Sequence, residues 1–213
     1  MPPPENSSHR LLVEGIDDQH SIVHLVRRHG FDWDAPDTRL PYVNTAGGLP
    51  QLMQIMPLEI RGPYEALGIV VDADSDVSGR WQQIRAAAAK EGVGLPSSPS
   101  ARGTVAPGPR AGSRFGVWLM PDNTVDGSLE TFLAKLVPAG DECWRMAETA
   151  VESAFSAGCG RPGDRMKHIL HTWLAWKDPP GMPFGTALKA EVFSHDSAVA
   201  LAFVDWFKNL YAI

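Results

Sequence analysis

Leu67-Gly68-Ile69-Val70-Val71-Asp72-Ala73-Asp74 is the stretch on which the reading of this chain turns. The run from Gly68 to Val71 is short, unbroken and largely β-branched, the pattern of a strand covered on both faces. Such strands make parallel sheets, and open parallel sheets gather ligands just past the carboxyl ends of their strands. Asp72 and Asp74 fall at that end. Two carboxylates in that position point to a divalent cation, and a sparse set of hard oxygen donors suits Mg²⁺ or Mn²⁺ better than Zn²⁺. An aspartate also ends strands and opens turns for purely local reasons.

A second strand mouth strengthens the metal reading. His9-Arg10-Leu11-Leu12-Val13 is another short apolar run, followed by Glu14-Gly15-Ile16-Asp17-Asp18 and then by Ile22, Val23, Leu25 and Val26 at helical spacing. Gly15 is expected to let the chain turn sharply behind Glu14, and Asp17 or Asp18 to cap the helix. Capping does not explain Glu14, whose carboxylate points into the same crevice as Asp72 if both strands are central. Three acids brought together would repel one another, so their collection makes sense chiefly with a cation among them. Phe115 to Met120 is a further apolar run that ends in an acid, Asp122, after Pro121. Ser128 then reads as the N-cap of a helix through Val137, with Glu130 in its first turn, where a carboxylate meets the positive end of the helix dipole.

The glutamate of Val13-Glu14-Gly15 and the aspartates of Val70-Val71-Asp72-Ala73-Asp74 resemble the Toprim domain over roughly residues 9–138. Leu11-Leu12-Val13-Glu14-Gly15, Asp72-Ala73-Asp74-Ser75-Asp76, Trp118-Leu119-Met120-Pro121-Asp122-Asn123 and Gly127-Ser128-Leu129-Glu130 together resemble its stand-alone bacterial group, DUF3226. The resemblance implies an α/β fold, with a mainly parallel central sheet flanked by helices, and a metal-dependent phosphodiester chemistry. It implies an ion held by Glu14, Asp72 and Asp74, with Asp18, Asp122 and Glu130 as candidates for a second. Two such ions clamp the attacking and leaving oxygens of an in-line displacement. Lys167 and His171, which share a helix face at i, i+4, either offer positive charge to a phosphate, as a lysine downstream of the acids does in the related nucleases, or are a hydrated lysine and a partly buried histidine. Phage defence and an ABC-type ATPase partner are further implications of the company such domains keep.

The remaining sequence divides as follows. Arg39 to Asn44 is expected to be a strand, with Pro41 favouring an edge; Gly47 to Met56 and Asp74 to Glu91 are expected to be helices. Residues 92–112, dense in Pro, Ser, Gly and Arg, read as a flexible loop whose Arg102 and Arg110, with Arg114 beside it, either reach phosphates or stay solvated. Beyond residue 139 a helical extension is expected over Asp141 to Ala157, Asp164 to Trp176 and Ser197 to Ala212, packed on the same domain by Trp173, Trp176, Phe203, Trp206 and Phe207. His20, His24 and Arg27-Arg28-His29 read as a solvated helix end. Residues 1–8 read as a disordered polar tail.

Composition permits this without selecting it. A chain of 213 residues that is 44% apolar suffices for one α/β domain with a helical elaboration. No leader or membrane span is apparent, and two cysteines are too few for a disulfide framework, so a cytoplasmic setting is expected. The net charge of -6 is low for a nucleic-acid enzyme, whose affinity comes from Lys and Arg. Weak binding to DNA or RNA by the chain alone is therefore expected, with a protein partner or a homodimer supplying more surface. Two alternatives stand beside the nuclease: a phosphatase of the haloacid-dehalogenase type with Asp72 as nucleophile, and a non-catalytic metal- or nucleotide-binding module that docks on a partner.

Overall fold

The computed structural model describes residues 7–35, 39–161, 163 and 165–213. The chain runs β1 (His9–Val13), α1 (Ile16–Arg28), β2 (Tyr42–Thr45), α2 (Leu49–Ile60), β3 (Ala66–Asp72), α3 (Val77–Lys90), β4 (Thr104–Pro107), β5 (Arg114–Met120), α4 (Leu129–Ala134), α5 (Glu142–Ser156), α6 (Arg165–Ala175), α7 (Phe184–Lys189) and α8 (Ala198–Tyr211). Among the described residues five strands form one sheet in the order β2-β1-β3-β5-β4. β2, β1, β3 and β5 are parallel, and β4 is antiparallel to β5 at the edge. The fold is α/β, with helices on both faces of a mostly parallel sheet. Among the described residues no helix is long and apolar enough to cross a membrane.

Alternation along the strands explains the two layers. Leu12, Ile69, Val71, Val117 and Leu119 face one core with Leu52 and Met56 of α2 and Trp81 and Ile84 of α3. Leu11, Val13, Val70, Trp118 and Met120 face the other, with α1 and the C-terminal helices. Since every central strand buries both faces, the run around Ile69 shows no period-2 polarity.

α8 lies directly on the second face because two glycines leave room for it. Gly68 and Gly116 are paired across β3 and β5. A Cβ at Gly68 would stand 2.7 Å from the Tyr211 hydroxyl and 2.8 Å from both Leu11 Cδ1 and Leu210 Cδ2; one at Gly116 would stand 2.5 Å from Leu210 Cδ2. The close approach lets Tyr211 Oη donate to the Arg10 carbonyl at 2.8 Å and Trp206 Nε1 to the Thr104 carbonyl at 3.1 Å. Both bonds satisfy polar atoms that burial would otherwise strand.

Several expectations need correction. The stretch read as a loop at 92–112 contains β4, whose Thr104 and Ala106 are buried and whose edge is covered by Trp206. α2 continues past Met56 to Ile60 with Pro57 inside it, because Leu52, Met56 and Ile60 recur at four-residue spacing on the buried face. α3 begins only at Val77, since Asp76 caps it by accepting from Gly79 N at 2.8 Å. α7 escaped the sequence reading altogether. It covers α1, setting Gly185 against His20 and His24, so that end is less solvated than expected: Arg28 Nη2 meets Glu191 Oε2 at 2.7 Å. Trp176 is 46% exposed and is not part of the core that Trp173, Phe203, Trp206 and Phe207 form. Residues 1–6 of the expected tail and Asp164 lie outside the described residues.

Gly68→Ala should force Tyr211 and Leu210 away and cost about 1–3 kcal/mol, at roughly 2–4 °C of Tm per kcal/mol. Gly94→Ala, where nothing lies within 4 Å of an added Cβ, is the control and should be near neutral. Equal melting of the two variants would show that α8 does not rest on the sheet at Gly68.

Candidate functional site

β1 and β3 are neighbours in perfect parallel register, Val13 opposite Val70. From β1 the chain crosses to β2 on one side, whereas β3 leads on to β5 on the other. The carboxyl end of the β1/β3 pair is therefore the topological switch point of the sheet, where a crevice opens. Glu14 leaves β1 at that point and Asp72 closes β3. They meet directly: Asp72 N donates to Glu14 Oε1 at 2.8 Å. The Glu14 carbonyl accepts from Gly47 N at 3.0 Å and Gly48 N at 2.8 Å, which ties in the turn after β2.

Two further acids face this pair. Asp18, 8% exposed, turns back from the first turn of α1 so that its Oδ2 accepts from Gly15 N at 2.9 Å. It caps α1 and joins the cluster at once, so the capping and site roles read from the sequence coexist. Gly15 itself has φ -143 and ψ -178, extended backbone open to any residue, and the sharp glycine turn expected there is absent. From the opposite side the start of α4 comes down on β3, where Leu129 N donates to Asp72 Oδ1 at 2.9 Å. Glu130 follows, with Oε2 accepting from Ser128 Oγ at 2.7 Å and Oε1 lying 3.0 Å from Lys167 Nζ of α6.

Asp74 is held differently. Its φ of 54 is left-handed, a conformation Asp tolerates better than most residues. A two-way backbone bridge fixes it, Asp74 N to Gly127 O at 2.8 Å and Gly127 N to Asp74 O at 2.7 Å. Its exposed carboxylate meets Arg80 Nη2, and Arg80 Nε donates to the Asp72 carbonyl at 3.0 Å. The loops after β3 and β5 are thus stitched together over the acids. Between them and α6 lies a cavity of about 430 Å³ lined by Asp72, Asp74, Ser128, Glu130, Met166 and Lys167 among others.

Burial and crowding set the protonation of these groups. Asp72 is pushed up to about 8 by burial first and then by the charges of Asp18, Glu14 and Glu130, against the pull of Leu129 N–H. Burial, with Glu14 and Glu130, pushes Asp18 up to about 7. Glu14 is raised too, by burial and by Asp74, although the Asp72 N–H opposes this. Burial also acts upward on Glu130, but the Ser128 hydroxyl and the Lys167 ammonium outweigh it and leave that carboxyl below its ordinary value.

The residues expected at the site therefore separate. Glu14, Asp18, Asp72 and Glu130 feel one another's charges, with Lys167 at their rim and Asp74 beside them. Asp122 is turned elsewhere: Oδ1 accepts from Thr124 N and Oγ1 in its own turn, and Oδ2 meets Lys135 Nζ at 3.1 Å. His171 stacks on Phe184 at 5.1 Å and does not accompany Lys167. Sequence reasoning missed the positioning roles of Arg80 and Gly127; neither carries a local signal, since each acts through a neighbour distant in sequence or in a turn. Among the described residues no three His, Cys, Asp or Glu side chains are arranged to hold one ion, so metal binding here requires side-chain movement.

A model of the family described as a protein of unknown function, DUF3226, matches residues 8–212. The chain belongs to the DUF3226 family. No curated protein and no solved structure matches it. The match spans both the sheet and the C-terminal helices, so the helices that bring Lys167 to the acids are part of the DUF3226 unit.

In the unfolded DUF3226 chain Asp18 and Asp72 titrate near 3.8, whereas folded they hold protons to about 7 and 8. Between those values the folded form binds more protons, so their favourable contribution is complete below pH ~4 and is lost as pH rises towards 8. Asp72→Asn, whose Oδ1 still accepts from Leu129 N, should stabilise the metal-free protein at pH 8 by on the order of 2 kcal/mol and flatten the decline in Tm between pH 5 and pH 8. A lower Tm for the variant at pH 8 would contradict this account.

Proposed function

We propose that this chain is a divalent-metal-dependent phosphodiesterase acting on DNA or RNA, with acids placed as in Toprim nucleases. The observation that carries the reading is the 2.8 Å bond from Asp72 N to Glu14 Oε1, which joins two acids 58 residues apart at the switch point of a parallel sheet. Their donor chemistry fits Mg²⁺ or Mn²⁺: the oxygens are hard, and both free cysteines, Cys143 and Cys159, lie on the C-terminal helical region outside the lining of the cavity. Burial and mutual repulsion leave the carboxylates short of positive charge, which a cation supplies.

Glu14, Asp18 and Asp72 would hold the ion, with Asp74 and Glu130 flanking it. A bound divalent ion would offset charge on the phosphate and acidify water for attack. Leu129 N–H orients the Asp72 carboxylate, and Arg80 fixes the last carbonyl of β3 and the Asp74 carboxylate. Lys167, its side chain 54% exposed and held against Glu130 at the cavity rim, would meet a phosphate oxygen. A cytoplasmic role in phage defence, with an ATPase partner, belongs to the same proposal.

One observation favours a second reading, a non-catalytic metal- or nucleotide-binding module. Asp74 and Glu130 already pair with Arg80 and Lys167, and among the described residues no three acids stand ready around one ion.

Calorimetric titration with Mn²⁺ and incubation with labelled DNA and RNA test both readings. The nuclease predicts Mn²⁺ binding weakened at least about tenfold in Asp72→Asn, about 1.4 kcal/mol, and cleavage that EDTA and this substitution abolish. Binding without turnover on any substrate would support the module, and cleavage unchanged in Asp72→Asn would mean that the site is misassigned.

A further inference from the structure

The cations of this chain are distributed against duplex binding at the acidic cavity. Those that contact acids at the carboxyl end of the sheet are each spent on an acid: Lys167 on Glu130 at 3.0 Å, Lys135 on Asp122 at 3.1 Å, and Arg80 on Asp74. Arg161 and Arg165 neighbour the lining residues Gly163 and Met166 along the chain, and Arg165 is turned to Glu152 at 2.5 Å. Several further basic groups stand far off. Arg114 opens β5 whereas Met120 closes it at the cavity end, a separation of about 20 Å for a seven-residue strand. Arg114 Nη1 donates to Asn209 O at 3.2 Å, and Arg110 in the same hairpin donates to Tyr64 O. α1 likewise starts beside Glu14 and carries Arg27 and Arg28 in its last turn, at the far end of a 13-residue helix about 20 Å long. There they pair with Asp34 at 2.9 Å and Glu191 at 2.7 Å.

A duplex is held through many phosphates, each met by Lys or Arg. This cavity has the opposite make-up: three acids and one lysine line it, in a chain of net charge -6. Its volume of about 430 Å³ is that of a site for one small ligand. The Asp74–Gly127 bridge closes one side, and Met166 of α6 adds an apolar wall beside Lys167.

Resting on the phosphodiesterase reading, we infer that the substrate of this cavity is a short single strand, or the end of one, that presents only a few phosphates. The phosphate goes to the acids and Lys167, and the sugar or base lies against Met166. Duplex DNA and duplex RNA are poor occupants of the site.

Fluorescence anisotropy with Ca²⁺ in place of Mg²⁺ tests this without turnover, using a short labelled oligothymidylate, a long single strand with a free or a blocked end, and a duplex of two helical turns. The short strand should bind at least as tightly as the duplex, with a slope of log K against log salt of about -0.7 to -1.4, the value for one or two phosphate contacts on a single strand. Blocking the end of the long strand should weaken it if strand ends are the source, and leave it unchanged if free oligonucleotides are. Met166→Ala should weaken the short strand several-fold while leaving Mn²⁺ affinity unchanged. Tighter duplex binding with a slope steeper than about -5, the mark of six or more phosphate contacts, would overturn the inference. So would Mn²⁺ binding in calorimetry with no affinity for the short strand. Absence of Mn²⁺ binding, or binding indifferent to Asp72→Asn, would bring down the underlying reading as well.

Discussion

The site is built on an unfavourable arrangement: carboxylates from separate elements crowded into a half-buried crevice at one end of a parallel sheet. Left alone they repel one another and resist desolvation. Backbone N–H groups hold them in place. Asp72 N binds Glu14, Gly15 N binds Asp18, and Leu129 N binds Asp72. Each donor lies at a strand end or a helix start, where an N–H lacks a partner within its own element. The acids therefore satisfy the ends of β3, α1 and α4 while those ends fix the acids. Removing the backbone geometry would scatter the carboxylates, and the carboxylates in turn keep three element ends from being stranded in a half-buried crevice.

That mutual dependence explains why the C-terminal half is integral to the fold. α8 covers the sheet face that carries Leu11, Val70 and Trp118, reaching it through the paired glycines Gly68 and Gly116. α6 brings Lys167 over Glu130, and α7 covers the outer side of α1. Without these helices α1 alone would leave much of that face uncovered, and the cavity would lack the wall formed by Met166 and Lys167. Core and site are thus parts of one packing arrangement.

Much of the sheet was legible because buried parallel strands leave a strong mark: the runs ending at Val13, Val71 and Met120 became β1, β3 and β5. Weak marks were misread. β4 is four residues long amid Pro, Gly and Ser, and only its cover by Trp206 and its pairing with β5 make it a strand. α7, six residues long, owes its existence to packing on α1 more than to any periodicity of its own. Asp122 follows an apolar run just as Asp72 does, yet its carboxylate serves its own turn and Lys135. A strand-end acid in the right order is consequently insufficient: direction is set by the turn that follows.

By itself the sequence determined the parallel sheet, the placing of Glu14 and Asp72 at strand ends, and the hard-oxygen character of any site they form, because burial on both faces and residue chemistry act locally. Only the tertiary structure decided that β1 and β3 are neighbours, that Asp18 and Glu130 face them while Asp122 does not, and that Arg80 and Lys167 already occupy two of the acids. Those outcomes depend on strand order and on helix packing across long sequence separations, where no local pattern reports which backbone N–H or side chain will arrive opposite a given carboxylate.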